Sequence, residues 1–280
     1  MTHADPRITL ARADLASASL EGLLTATRYA APQLKAVAAP VAPLHRAPDV
    51  TSERMDELIL GERFDALEDH GDFVWGQARR DGYVGFVRAT DLAPAGPAPT
   101  HRVSAIRTYA FAEPSIKSPA LGPFSLGALV AVEAEDGKFS RATDGAWFWT
   151  SHLAPVGVFE RDPAAVAERF LGAPYLWGGR TSVGLDCSGL VQQALYACGQ
   201  ACPRDADQQA ALGREIGRTE LARGDLVGWR GHIGLMLDET RLIHANGHHL
   251  AVAIEPLAEA IARIEAAGAG APTAFRRLKE

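Results

Sequence analysis

Apolar positions along the chain change their rhythm three times. In the first 35 residues short apolar and charged stretches alternate, and Leu15, Leu20, Leu23 and Leu24 share roughly one face if residues 14–26 coil, which predicts a modest helix in an arm packed on the rest. The Ala/Pro-rich stretch from Ala38 to Pro48 reads as extended backbone, because proline lacks an N–H and biases its neighbour away from helix. From there to about residue 156, short runs rich in Val, Phe, Tyr and Trp alternate with Gly and Asp, the pattern of small antiparallel barrels. From Asp162 onward helix and strand patterns mix: a helix over residues 163–171 with Pro163 in its first turn, another over 257–266, and a closing strand over 273–278.

The β-rich stretch repeats itself. Pro48-Asp49-Val50-Thr51-Ser52 is followed by Leu60-Gly61 and Leu92-Ala93-Pro94; Pro114-Ser115-Ile116-Lys117-Ser118 is followed by Leu126-Gly127 and Leu153-Ala154-Pro155. The period of roughly 60 residues is the length of one small barrel. Each copy carries a Gly turn leading into aromatics, Asp81-Gly82-Tyr83-Val84-Gly85-Phe86 and Asp144-Gly145-Ala146-Trp147-Phe148-Trp149, and on these hairpins both copies resemble the bacterial SH3 domain. The Pro/Gly-rich run Ala95 to Pro99 separates them. The expected organisation is an arm over 1–35, barrels over 36–96 and 97–157, and a third domain over 158–280.

Composition narrows the function. A chain of 280 residues, 47% hydrophobic and 22% charged, can bury a sizeable core. Its net charge of -6 and lack of any Lys/Arg run argue against a phosphate-binding surface, so nucleic acid is not an expected partner. No apolar stretch is long enough to cross a bilayer, and Met1 to Arg7 does not read as a secretory leader. Three cysteines, Cys187, Cys198 and Cys202, make no disulfide framework, and the expectation is a soluble cytoplasmic protein. Cys198 and Cys202 with His248-His249 match no standard zinc spacing, so neither metal nor cofactor is expected.

The most informative stretch runs from Tyr175-Leu176-Trp177-Gly178-Gly179-Arg180 to Gly184-Leu185-Asp186-Cys187-Ser188-Gly189-Leu190-Val191-Gln192. A Gly-rich loop delivers Cys187 to the start of a helix whose apolar face is Leu190, Val191, Ala194, Leu195 and Cys198 and which Gly199 ends. Free N–H groups there are expected to lower the thiol pKa and to hold an oxyanion. His232 heads a strand, Gly231-His232-Ile233-Gly234-Leu235-Met236-Leu237, and a short hairpin brings His244 of Arg241-Leu242-Ile243-His244-Ala245-Asn246 beside it. Nucleophile, base and orienter then follow in that order: Cys187, His232, His244.

Together with the Arg223-Gly224-Asp225-Leu226 turn, these motifs resemble the NlpC/P60 family over roughly the last 120 residues. The resemblance implies an α+β, papain-like catalytic domain behind the two SH3-like β-barrels, and a cysteine peptidase that cuts the γ-D-glutamyl–diamino acid bond of murein peptides. It also implies substrate contacts from Tyr175, Asp186 and Ser188. Two barrels ahead of the peptidase narrow it to members that recycle muropeptides with a free N-terminal L-alanine; there an acid and a tyrosine of the first barrel hold the ammonium, and the nearest candidates are Glu53 and Tyr83. Such relatives tend to carry a serine where this chain has Ala206, which moves any contact from it to Asp205 or Asp207. Two other readings stay open: an exported wall hydrolase with barrels as binding modules, and a murein-binding protein over an inactive catalytic domain.

Overall fold

A computed structural model describes residues 5–278 and divides the chain into two units, Met1–Val156 and Gly157–Glu280. The first unit is built of β-strands and short 3-10 turns, and the second mixes helix with sheet. No helix among the described residues is long and apolar enough to cross a membrane.

In the first unit, seven strands form one sheet in the order Arg54–Ile59, Val41–His45, Val84–Arg88, Phe73–Ala78, Arg63–His70, Gln33–Val37 and Leu92–Pro94. Alternation sends Leu44, Leu58, Phe64, Val74, Tyr83 and Val87 into its core. The second copy splits its strands between a three-stranded and a five-stranded sheet around Val103, Ala110, Phe124, Val130 and Phe148. The repeat seen in the sequence recurs in atomic detail. In both Gly turns the aspartate accepts the N–H two residues on, Asp81 from Tyr83 and Asp144 from Ala146, each at 3.0 Å, while Gly82 and Gly145 take φ of +83° and +92°. The barrels join where the Leu129 N–H donates to the Leu60 carbonyl at 2.8 Å, and a Cβ on Gly61 would stand 2.4 Å from the Leu129 carbonyl oxygen.

The arm departs from expectation. Over residues 14–26 there is no α-helix: Leu15–Ser17 is a strand paired in parallel with Arg28–Ala30, followed by a 3-10 turn and Gly22 at φ +79°. Leu15 is fully buried against Phe73, Trp75 and Phe86 on the outer face of the first sheet, whereas Leu23 is 75% exposed. Burying one leucine on an aromatic patch outweighs a weak local helical period.

In the second unit, α1 (Pro163–Glu168), α2 (Cys187–Ala197), α3 (Ala206–Gln209) and α4 (Leu257–Ala266) surround a six-stranded antiparallel sheet. Its strands are β1 (Arg214–Glu215), β2 (Leu226–Trp229), β3 (His232–Met236), β4 (Arg241–Asn246), β5 (Ala251–Pro256) and β6 (Ala274–Arg277), in the spatial order β1-β6-β2-β3-β4-β5. Every residue of α2 is buried, so this helix has no solvent face and the amphipathic stripe expected of it is replaced by burial all round. The α4 helix supplies Leu257, Ala260, Ile261 and Ile264 to a core with Val227, Trp229, Met236 and Leu242.

Candidate active site

Cys187 is the first residue of α2, and Asp186 is its N-cap. The Asp186 carboxylate accepts five hydrogen bonds: from the Gly189 N–H (2.8 Å), Gly178 N–H (2.9 Å), the Ser188 hydroxyl (3.3 Å), and Arg204 Nη1 (3.0 Å) and Nη2 (2.7 Å). Arg204, 1% exposed, also donates to Ser188 Oγ at 2.8 Å. A buried charge pair of this kind is tolerable only when its remaining valences are filled, as here. Asp186 and Ser188 are both tied to Arg204, and the carboxylate braces the start of α2. Gly189 is required in the same place, since a Cβ there would stand 2.2 Å from the Gly179 carbonyl oxygen.

The Cys187 sulfur lies within reach of the N–H groups of Ile233, on β3, and Ser188, on α2. Burial first, and then the neighbouring Asp186, push its thiol up to about 12 against those N–H groups and the charge of Arg204. The helix N-terminus, which favours thiolate, is thus opposed by desolvation beside a carboxylate. Tyr175 is half-buried, and its hydroxyl is likewise held protonated by burial and by Cys187 and Asp186, which leaves it a donor beside the sulfur.

β3 and β4 pair antiparallel, and His232 Nε2 lies 2.8 Å from His244 Nδ1. Burial, then His244 and Arg263, push His232 down to about 3, so thiol and imidazole are both neutral at rest. Beyond them is a residue that the motif reading missed. Glu255, on β5, lies 2.6 Å from His244 Nε2, and Arg263 of α4 donates to the same Glu255 oxygen. Burial alone would raise the Glu255 carboxyl, but His244 and Arg263 outweigh it and hold it at about 2. Leu242 is the register partner of Glu255, so the bond to His244 is a diagonal one between neighbouring strands.

The two candidates from the first unit are built differently. Tyr83 is 5% exposed and packs in the apolar core of the first barrel. Glu53 sits just before the strand Arg54–Ile59 and is 2.8 Å from Arg46 in a surface ion pair.

Comparison with known proteins fits this geometry. Residues 172–268 match the NlpC/P60 family, and residues 44–92 match the bacterial dipeptidyl-peptidase Sh3 domain. The C-terminal unit is an NlpC/P60 cysteine peptidase domain. The gamma-D-glutamyl-L-lysine dipeptidyl-peptidase of Bacillus subtilis is 27% identical over 226 residues, spanning 73% of this chain and 76% of that protein. The protein of the same description from Bacillus cereus is 28% identical over 125 residues, which are 42% of this chain and 37% of that one. A crystal structure of an NlpC/P60 family protein from Bacillus cereus superposes with a TM-score of 0.76 at 20% identity, covering 88% of this chain and 99% of that one, and so shares its fold.

In an NlpC/P60 domain this arrangement supports acyl transfer from a peptide. With Cys187 as nucleophile and His232 as base, the S–H proton would pass to the imidazole as sulfur bonds to the carbonyl carbon. N–H groups at the start of α2 would be the donors for the oxyanion, with the protonated Tyr175 hydroxyl as a further candidate. The imidazolium would then protonate the leaving amine as the C–N bond breaks, and water, deprotonated by the same ring, would cleave the thioester and restore the thiol.

Proposed function

We propose that this peptidoglycan peptidase cuts the γ-D-glutamyl–diamino acid bond of released murein peptides that keep a free N-terminal L-alanine, a recycling reaction of the cytoplasm. The observation that carries this reading is the match of residues 44–92 to a dipeptidyl-peptidase Sh3 domain on the same chain as the peptidase match. An enzyme that releases a dipeptide must measure two residues from a free amine, and an ammonium held in a cleft needs an anion. Asp186 already carries five hydrogen bonds, including two from a guanidinium, so it is a poor partner for a second cation. Glu53 lies inside the matched stretch, where its carboxylate is paired with Arg46 at the surface.

The test compares L-Ala-γ-D-Glu-L-Lys, its N-acetyl form, and intact sacculi as substrates. The expected result is release of L-Ala-γ-D-Glu from the first, loss of at least about tenfold in kcat/KM on acetylation, and little action on sacculi. Equal turnover of the acetylated peptide, or a preference for sacculi, would overturn the recycling reading in favour of a wall hydrolase. No turnover of any of the three would favour an inactive binding protein.

A further inference from the structure

Neither histidine can act as base and orienter unless the single proton on each ring sits on the correct nitrogen. At the far end of the relay stands a carboxylate, which when ionised only accepts hydrogen bonds. Arg263 donates to Glu255 Oε1, the same oxygen that lies 2.6 Å from His244 Nε2. That oxygen therefore receives two donors, and His244 Nε2 must carry a hydrogen. His244 is fully buried and held neutral by that burial, so its Nδ1 is a bare lone pair. It faces His232 Nε2 at 2.8 Å, which must in turn be the N–H of that ring. His232 Nδ1 is then unprotonated, and it is the nitrogen left for Cys187.

We propose that Glu255, held in place by Arg263, sets the tautomers of both histidines and so makes His232 a base toward Cys187. Glu255 acts through His244 and is a positioning residue; it touches neither substrate nor sulfur. The proposal rests on the Cys187–His232 peptidase chemistry and is independent of which murein peptide is cut. Without the anion, His244 can carry its proton on Nδ1, where it points at His232 Nε2 and forces the His232 proton onto the nitrogen meant to receive the thiol's. A wrong tautomer of this sort costs orders of magnitude in turnover while leaving the site's shape intact.

The shared oxygen makes a graded series possible. In Glu255→Gln the guanidinium of Arg263 rejects an NH2 and selects the amide oxygen, so an acceptor still faces His244. In Glu255→Leu no acceptor remains. The first measurement is made on the substrate-free wild-type protein labelled with 15N-histidine. Long-range 1H–15N correlations are expected to show both rings as Nε2–H tautomers, and either ring found as Nδ1–H overturns the proposal. This reading needs no turnover, so it stands or falls separately from the substrate assignment. With L-Ala-γ-D-Glu-L-Lys, Glu255→Leu is expected to lower kcat about a hundredfold with KM within about twofold, and Glu255→Gln to keep kcat within about threefold. Equal losses in Gln and Leu, or a Leu variant with wild-type kcat, would refute it. If the Leu variant does not fold, Arg263→Leu combined with Glu255→Gln serves instead: freed from the guanidinium, the amide can turn its NH2 to His244, and kcat should fall well below that of Glu255→Gln alone.

Discussion

Behind the reacting groups stand two carboxylate–arginine pairs, Asp186–Arg204 at the start of α2 and Glu255–Arg263 across β5 and α4. They look alike in composition and differ in what they hold. The first is almost wholly buried, with side-chain exposures of 1% and 8%, and its oxygens bind backbone N–H groups of the loop and helix around Cys187. The second reaches solvent at its edge, with 26% and 11%, and one of its oxygens binds a titrating ring. One pair fixes backbone, and the other fixes a proton. The comparison teaches that the same two residue types serve as scaffold or as relay according to whether their partners can titrate.

The largest expected effect tests the scaffold. Arg204→Leu leaves the Asp186 charge buried without its counter-ion, and stability should fall by about 3–5 kcal/mol, seen as a lower urea midpoint at unchanged slope. Asp186→Leu with Arg204→Leu should recover only part of that loss: the unpaired charge is gone, but the buried N–H groups of Gly178 and Gly189 lose their acceptor. If the single variant costs less than about 1 kcal/mol, the pair does not brace the start of α2.

The next effect belongs to the relay and depends on pH. Glu255 is depressed from 4.5 to about 2 in the fold, so its contribution is fully present above pH 4.5 and is lost as pH falls toward 2; in size it is at most about 3 kcal/mol. His232 is also depressed, from 6.5 to about 3, and the unfolded chain takes up its proton first, so stability already declines below pH 6.5. Urea titrations between pH 7 and 3 should show a falling midpoint, and His232→Phe should flatten the part between pH 6.5 and 4.5. An unchanged slope in that variant would locate the acid sensitivity elsewhere.

These two pairs were unequally legible. Asp186, Cys187, Ser188 and Gly189 are consecutive, so one helix N-terminus carries their arrangement and the chain alone displays it. His232 and His244 are readable from strand spacing, since a short hairpin leaves little freedom of register. Glu255 stands 11 residues beyond His244, opposite Leu242 in register, and reaches the ring only diagonally. Nothing in its sequence neighbourhood sets it apart from an ordinary strand acid. Arg204 lies 18 residues past Asp186 in a segment that could be singled out only for the serine it lacks at Ala206. The arm is illegible for a related reason: Leu15 is placed by Phe73, Trp75 and Phe86, which are distant in the chain, and local period carries no information about them.

The smallest expected effect is on reactivity, and it sharpens what the Asp186 side does to Cys187. A helix N-terminus favours thiolate, whereas burial beside a carboxylate opposes it, and here the thiol is driven up to about 12. In the substrate-free protein, the iodoacetamide labelling rate of Cys187 should therefore keep rising with pH from 6 to beyond 9, without a plateau in the neutral range. A thiolate–imidazolium pair formed at rest would instead give a plateau through neutral pH with an acid limb below it. Asp186→Asn, which removes the negative neighbour but keeps an oxygen for the helix cap, should raise the neutral-pH rate by a few-fold. If the plateau is found in the wild type, Asp186 and Arg204 together act on the sulfur as a neutral unit, and desolvation is not what sets its protonation.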